Sequence, residues 1–145
     1  MLEDTIILMA EDDSGHTGLI LRNLRRAGIL NEIKHFNDGQ KLLEFIFNTN
    51  GEVNLPKGKT FILLLDIRMP VIDGIEILKI IKSCPDLQPM PVFMLTTTDT
   101  PHEINTCHRL GCNGYITKPI GYDKFIATLE NFASFLKVLQ VPAIG

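Results

Sequence analysis

Short, largely apolar segments recur along this chain, and each is followed by a segment with apolar residues at helical spacing. A short apolar run bounded by turn residues is typical of a strand buried on both faces of a sheet. The predicted strands span residues 5–10, 32–36, 61–65, 92–95 and 115–117, and the second alternates weakly, as expected at a sheet edge. The predicted helices span about residues 14–27, 40–47, 75–83, 101–110 and 123–139.

Strand followed by helix, five times over, predicts an α/β fold with a parallel sheet and helices on both of its faces. The chain of 145 residues fits one domain. We expect a core of about residues 5–136, followed by a helix extension and tail at residues 137–145. Residues 48–59 contain Gly, Asn and Pro without a clear period, which indicates a long loop.

Composition excludes several classes of protein. The net charge of −3 provides no general basic surface for nucleic acid. No apolar stretch approaches the length of about 18 residues that predicts a membrane span, and residues 1–4 lack the basic start of a signal peptide. The three cysteines have no CxxC spacing, which favours free thiols in the cytoplasm. A zinc site at Cys107, His108 and Cys112 is disfavoured because neighbouring helix residues point apart.

The most informative segment is the run of residues 61–65, which ends on Asp66. A buried carboxylate without a partner is costly, so Asp66 is expected where the strand emerges into a crevice. Open parallel sheets place their chemistry at this carboxyl edge. An ordinary aspartate that starts a turn remains an alternative for a single residue considered alone.

Polar residues also follow other predicted strands: Glu11 and Asp12 the first, Thr96 the fourth and Lys118 the fifth. In a parallel sheet these strand ends face the same crevice as Asp66. Three crowded carboxylates need a cation, and oxygen ligands suit Mg²⁺. One carboxylate can then attack a phosphoryl group and form an aspartyl-phosphate. An ammonium group and a hydroxyl group would stabilise the charge on the phosphoryl oxygens.

A known family has these residues in this order. They are Glu11-Asp12, Leu65-Asp66 with Met69-Pro70, Asp73-Gly74, Thr96 after residues 91–95, and Tyr115 with Lys118-Pro119. On these motifs, residues 5–135 resemble a response-regulator receiver domain. The resemblance implies a flavodoxin-like, doubly wound sheet of (βα)5 type with strand order 2-1-3-4-5.

The resemblance also implies a site. Asp66 would be the phosphoacceptor and would receive its phosphoryl group from the phosphohistidine of a sensor histidine kinase. Asp12 would bind Mg²⁺ directly and Glu11 through water. Asp66 and the backbone carbonyl of Arg68 would complete the metal ligands. Lys118 would pair with Asp66 and then with the phosphate.

The resemblance further implies a switch. Thr96 would move toward the phosphoryl group and Tyr115 would swing inward, which would change the surface of the fourth helix, fifth strand and fifth helix.

The resemblance also implies that the bond between Lys118 and Pro119 is cis. We expect Asp13 to be a bystander and Asp73 a helix cap. We assign no role to the four histidines, His16, His35, His102 and His108, and expect them on the surface or on helix faces.

A narrower resemblance concerns the loops and the tail. Residues 48–59, 84–91 and 138–142 are similar to those of the stand-alone regulators paired with bacterial phytochromes, which implies a phytochrome as one candidate kinase. Arg68-Met69-Pro70 departs from the Asn-Leu-Pro that is commoner in that group. This chain also retains Lys118-Pro119, which several members of the group replace.

The phytochrome-paired regulators form homodimers. Apolar residues beyond the need of one helix face favour a homodimer through the fifth helix and tail: Phe132, Phe135, Leu136, Leu139 and Val141.

Three functions follow from these residues. The leading hypothesis is a phosphorylation-operated switch that has no effector domain and no enzyme activity beyond its own phosphotransfer and dephosphorylation. A Mg²⁺-dependent phosphohydrolase is the alternative, but its second aspartate two residues after the nucleophile is replaced here by Arg68. A phosphorylation-independent adaptor would be expected to lack Asp66 or Lys118.

Overall fold

A computed structural model describes residues 1–145 as one parallel five-stranded sheet with five helices. The strands are β1 (Ile6–Ala10), β2 (Ile33–Phe36), β3 (Phe61–Leu65), β4 (Val92–Thr96) and β5 (Gly114–Thr117). The helices are α1 (Ser14–Arg26), α2 (Gly39–Ile46), α3 (Gly74–Ser83), α4 (Pro101–Leu110) and α5 (Tyr122–Val138). The strand order is β2-β1-β3-β4-β5, with every pair parallel. The predicted fold class, strand order and edge position of β2 are confirmed.

The central strand β3 is buried on both faces because helices cover each side of the sheet. Phe61, Leu63 and Leu65 pack in the apolar core shared with α2, α3 and α4. Ile62 and Leu64 point the other way, into the core shared with α1 and α5. Side chains alternate along a strand, so a strand covered on both faces needs apolar residues at every position. This accounts for the continuous apolar run in the sequence.

Aspartates after the strands begin the helices. The side chains of Asp13, Asp38 and Asp73 cap α1, α2 and α3 by accepting hydrogen bonds from backbone N–H groups three residues later. Such caps satisfy donors that have no partner within the helix. The predicted cap at Asp73 is therefore confirmed, and Asp13 also caps a helix.

The start of α3 lies against the end of β3 because Gly74 has no side chain. A Cβ atom at Gly74 would lie 2.1 Å from the carbonyl oxygen of Asp66, and the Gly74 N–H donates to the carbonyl of Ile67 at 2.8 Å. Only glycine permits this approach. The glycine thus holds the backbone of Asp66 against the first turn of α3.

At the opposite, amino-terminal edge of the sheet, the long loop and the tail close the core. The loop makes an antiparallel bridge between Phe47 and Val53 and buries Leu55. Ile144 is 4% exposed and packs in the core on the α2 and α3 side. Its N–H donates to Lys59 at 3.0 Å and its carbonyl accepts from Gly58 at 2.9 Å. The tail therefore crosses from α5 to the other side of the sheet.

The apolar residues of α5 and the tail serve mainly the chain itself. Phe132 and Leu136 are buried in the core on the α1 and α5 side, and Leu139 and Val141 pack against that core. Phe135 remains 44% exposed. Among the helices, none combines the length and the apolar composition that crossing a membrane requires.

Candidate metal and phosphoacceptor site

The carboxyl edge of the sheet brings together residues from four strand ends. Glu11 follows β1, Asp66 follows β3, Thr96 ends β4 and Lys118 follows β5. All four are buried, with exposed fractions of 2%, 8%, 0% and 3%. Burial of a polar or charged side chain is costly. Four such side chains at one edge therefore mark it as the candidate site for chemistry.

Three carboxylates form an acidic cluster at this edge. One carboxylate oxygen from each of Glu11, Asp12 and Asp66 lies within 4.8 Å of the other two, and Asp12 is the exposed member. Hard oxygen ligands with one side open to water fit Mg²⁺, which retains several waters when bound. The two oxygens of Asp66 differ, because Oδ1 accepts from the backbone N–H of Ile67 at 2.8 Å and Oδ2 faces Lys118.

Lys118 is the cation within this cluster. Its ammonium group forms a buried ion pair with Glu11, and its Nζ lies 3.5 Å from Asp66 Oδ2. Burial raises the pKa of Glu11 to about 7, although the Lys118 ammonium opposes the shift. The backbone N–H of Lys118 also donates to the carbonyl of Thr96 at 2.7 Å, which joins the ends of β4 and β5.

Thr96 and Tyr115 are connected through the loop after β4. The Thr96 hydroxyl accepts a hydrogen bond from the N–H of Thr98 at 3.4 Å, and the Tyr115 hydroxyl donates to the carbonyl of Thr98 at 2.5 Å. Burial raises the pKa of Tyr115 to about 12, so its hydroxyl remains a donor at neutral pH. The side chain of Tyr115 packs against the core on the α2, α3 and α4 side.

One sequence prediction about this edge is wrong. All peptide bonds are trans, including the bond between Lys118 and Pro119, for which we predicted the cis form. The trans form is favoured by about 0.5–1 kcal/mol at bonds before proline, so a cis bond needs surroundings that impose it.

His16 and Glu103, to which the sequence analysis gave no role, each contact a residue of the site. His16 Nδ1 lies 3.0 Å from Lys118 Nζ, and Glu103 on α4 pairs with the side chain of Arg68. His16 is in the first turn of α1, which begins at the carboxyl edge, and this position was the available signal. Glu103 lies likewise in the first turn of α4. His35 is exposed, as expected, and its Nε2 donates to the carbonyl of Glu11 at 2.8 Å.

Comparison with known proteins adds to this geometry. A crystal structure of a response regulator receiver domain from Rhodospirillum rubrum superposes with a TM-score of 0.93, is 42% identical, and is matched over 96% of this chain and 98% of that chain. Response regulator Rcp1 from Synechocystis sp. (strain ATCC 27184 / PCC 6803 / Kazusa) is 30% identical over 139 residues, which are 95% of this chain and 93% of Rcp1. Its Mn²⁺-bound structure gives a TM-score of 0.84 at 28% identity, covering 95% of this chain and 99% of that one.

The phosphorylated cyanobacterial phytochrome response regulator RcpA is also similar, with a TM-score of 0.83, 26% identity, and coverage of 96% of this chain and 99% of that chain. The narrower resemblance to phytochrome-paired regulators is therefore confirmed. The sequence profile described as "Response regulator receiver domain" matches residues 7–130. This chain belongs to the response regulator receiver domain family.

Proposed function

We propose that this receiver domain accepts a phosphoryl group on Asp66 from the phosphohistidine of a sensor histidine kinase, in a reaction that requires Mg²⁺. The observation that carries the proposal is the carboxylate of Asp66 itself. It lies at the end of the central strand, within an acidic cluster and 3.5 Å from a buried ammonium group. This arrangement supplies the nucleophile, the metal ligands and the positive charge that phosphoryl transfer needs.

The proposed role of each residue follows from its chemistry. Asp12 and Asp66 would hold Mg²⁺ directly, Glu11 through water, and the carbonyl of Arg68 would complete the set. When bound, the ion neutralises charge on the transferring phosphoryl group. The new bond joins a carboxylate oxygen of Asp66 to phosphorus while the bond from phosphorus to the histidine nitrogen breaks. Lys118 then pairs with the phosphoryl oxygens.

The proposed output is a change of surface. A phosphoryl group adds a charge of about −1.5 to −2 at Asp66, which draws the hydroxyl of Thr96 and the ammonium of Lys118 toward it. Movement of Thr96 affects Tyr115, because the N–H and the carbonyl of Thr98 bond to these two side chains. The change would reach α4, α5 and the edge strand β5.

Partners are proposed from the relatives and from exposed apolar residues. RcpA is described as a phytochrome response regulator, so a phytochrome-type histidine kinase is the candidate donor. Phe135 and Val138 of α5 are 44% and 74% exposed, which supports a homodimer through α5 and the tail. We also propose that residues 137–145 are part of the same single domain as the receiver core.

The phosphohydrolase alternative is disfavoured by the residue at position 68. Arg68 cannot act as a general acid, because a guanidinium group stays protonated. Its side chain pairs with Glu103. We therefore propose a signalling switch rather than an enzyme that turns over small substrates.

The test is the intact mass of the protein after incubation with acetyl phosphate and Mg²⁺. Wild type should gain one phosphoryl group, and the gain should disappear in Asp66→Asn and with EDTA. Asp86→Asn, which changes an aspartate outside the cluster, is the matched control and should behave as wild type. A wild type that binds Mg²⁺ but gains no mass would favour the adaptor, and a gain that persists in Asp66→Asn would place the phosphoacceptor elsewhere.

A further inference from the structure

His16 contacts the buried cation of the site. Its Nδ1 lies 3.0 Å from Lys118 Nζ and 3.9 Å from Asp13 Oδ2. An ammonium group only donates hydrogen bonds, so Nδ1 is the acceptor in its contact with Lys118, which requires the Nε2-protonated tautomer of the ring. The contact joins residues that are 102 positions apart in the sequence, the first turn of α1 and the end of β5.

The ring of His16 is held in place from two sides. It meets the ring of Phe125 on α5 edge-on, with centroids 5.7 Å apart and an angle of 68° between the planes. The backbone N–H of His16 donates to Asp13 Oδ1 at 3.0 Å. Backbone and ring are therefore both fixed, which allows Nδ1 to act as a positioned acceptor.

The ammonium group of Lys118 needs such an acceptor. Its side chain is 1% exposed, so water cannot satisfy its three N–H donors. Its acceptors are Glu11 Oε1, His16 Nδ1 and, at 3.5 Å, Asp66 Oδ2. The two carboxylates are proposed metal ligands, and Asp66 is also the proposed phosphoacceptor. His16 is the one neutral partner that neither event alters.

We propose that His16 is a positioning residue for phosphoryl transfer. It holds the ammonium of Lys118 beside Asp66 when the carboxylates of Glu11 and Asp66 take up Mg²⁺ and the phosphoryl group. This inference rests on the proposed function of Asp66. Without the imidazole acceptor, one N–H of a buried cation loses its partner and the ammonium moves toward Glu11. Lys118 is then less available to the incoming phosphoryl group.

Two substitutions separate the acceptor from the bulk of the ring. His16→Leu keeps an apolar side chain against Phe125 but removes the acceptor, and His16→Asn places an amide oxygen near the position of Nδ1. A hydrogen bond to a charged group is worth about a factor of ten or more, so we expect His16→Leu to slow phosphorylation by acetyl phosphate about tenfold. His16→Asn should retain most of the wild-type rate. His108→Leu changes an exposed histidine that does not contact Lys118 and should have no effect.

The readouts distinguish this inference from the proposed function. If wild type gains no phosphoryl group, the proposed function fails. If wild type is phosphorylated and His16→Leu reacts at the wild-type rate, the inference fails alone. Equal slowing of His16→Leu and His16→Asn would show that the ring acts by packing and would also overturn it.

A second measurement does not depend on phosphorylation. Long-range ¹H–¹⁵N correlation NMR of the metal-free protein should show His16 with a bare Nδ1 and a protonated Nε2. The Lys118 ammonium signal should shift in His16→Leu but not in His108→Leu. A proton on Nδ1 would overturn the inference, and urea unfolding of the variants identifies any general loss of structure.

Discussion

The carboxyl and amino-terminal edges of this sheet, where the strands end and begin, are closed in opposite ways. At the carboxyl edge, Glu11, Asp66 and Lys118 are buried together and satisfy one another by ion pairs. At the amino-terminal edge, the loop and the tail insert Leu55 and Ile144 into the core and add backbone hydrogen bonds. The same sheet therefore has one edge built from charges and one built from apolar contacts.

This difference separates stability from chemistry. Burial of charge is compensated only in part by pairing, whereas burial of an apolar side chain is directly favourable. The carboxyl edge also carries three carboxylates against one ammonium, an excess of negative charge that a metal ion would relieve. We expect substitutions at the amino-terminal edge to change stability alone, and substitutions at the carboxyl edge to change metal binding and phosphorylation. The exception is the glycine on which the backbone of the site depends.

The largest effect is expected for Gly74→Ala. Its Cβ would lie 2.1 Å from the carbonyl oxygen of Asp66, so α3 or the end of β3 must move. We expect a loss of about 3 kcal/mol in the free energy of unfolding, as for severe overpacking, together with weaker Mg²⁺ binding. Urea unfolding and a Mg²⁺ titration measure the two effects.

Gly18→Ala is the matched control, because its Cβ would have no heavy atom closer than 3.7 Å. Within α1 this change should stabilise the protein by about 0.5–1 kcal/mol and leave Mg²⁺ binding unaltered. If Gly74→Ala were as stable as wild type, the close approach of α3 to Asp66 would be wrong.

The second prediction concerns the amino-terminal edge. Ile144→Ala removes a side chain that is 4% exposed in the core, and we expect a loss of about 2 kcal/mol, the low end for such truncations. Mg²⁺ affinity and the rate of phosphorylation should not change. Val138→Ala, at a side chain that is 74% exposed, should be nearly neutral. A change in phosphorylation on losing Ile144 would break the separation between the two edges.

Much of the fold and part of the site followed from the sequence. Apolar runs identified the strands, and the parallel arrangement then placed Glu11, Asp66 and Lys118 at one edge. These inferences rest on local pattern and on a topology with few alternatives. The same reasoning does not specify which side chains meet across elements.

The contact between His16 and Lys118 illustrates that boundary. It joins two residues 102 positions apart, and its existence depends on how the first turn of α1 lies against the end of β5. The tail is a second example. Its apolar residues predicted an interface, but pattern alone does not say whether the surface that they cover belongs to the same chain or to a second copy. In the protomer, Ile144 covers the chain's own core.

The third prediction uses the pH dependence of Glu11. Burial raises its pKa from the ordinary value of 4.5 to about 7. Mg²⁺ favours the ionised carboxylate, so affinity should rise with pH below about 7, by at most about tenfold per unit, and then level off. Calorimetric titrations at several pH values measure the Mg²⁺ affinity, and Glu11→Gln should remove its rise with pH.

The same shift affects the free energy of unfolding. Between pH 4.5 and about 7 the folded chain binds more protons at Glu11 than the unfolded chain, so this contribution to stability falls as pH rises. Saturating Mg²⁺ should reduce the fall, because the ion stabilises the ionised form. If the metal-free protein instead gained stability across this window in wild type but not in Glu11→Gln, the sign of the shift would be wrong.

The smallest effect is expected for the ion pair between Arg68 and Glu103, which joins the loop after β3 to α4. The Arg68 side chain is 62% exposed and that of Glu103 is 15% exposed, and Glu103 Oε2 has no hydrogen-bond partner. Arg68 is open to solvent, which screens its charge, and solvent-screened pairs contribute at most about 1 kcal/mol. A double-mutant cycle of Arg68→Ala and Glu103→Gln should therefore give a coupling below that value. The exposed pair of Glu32 and Lys34 is the reference. A much larger coupling would mean that charges at the carboxyl edge also hold the fold together, and the contrast between the two edges would then fail at α4.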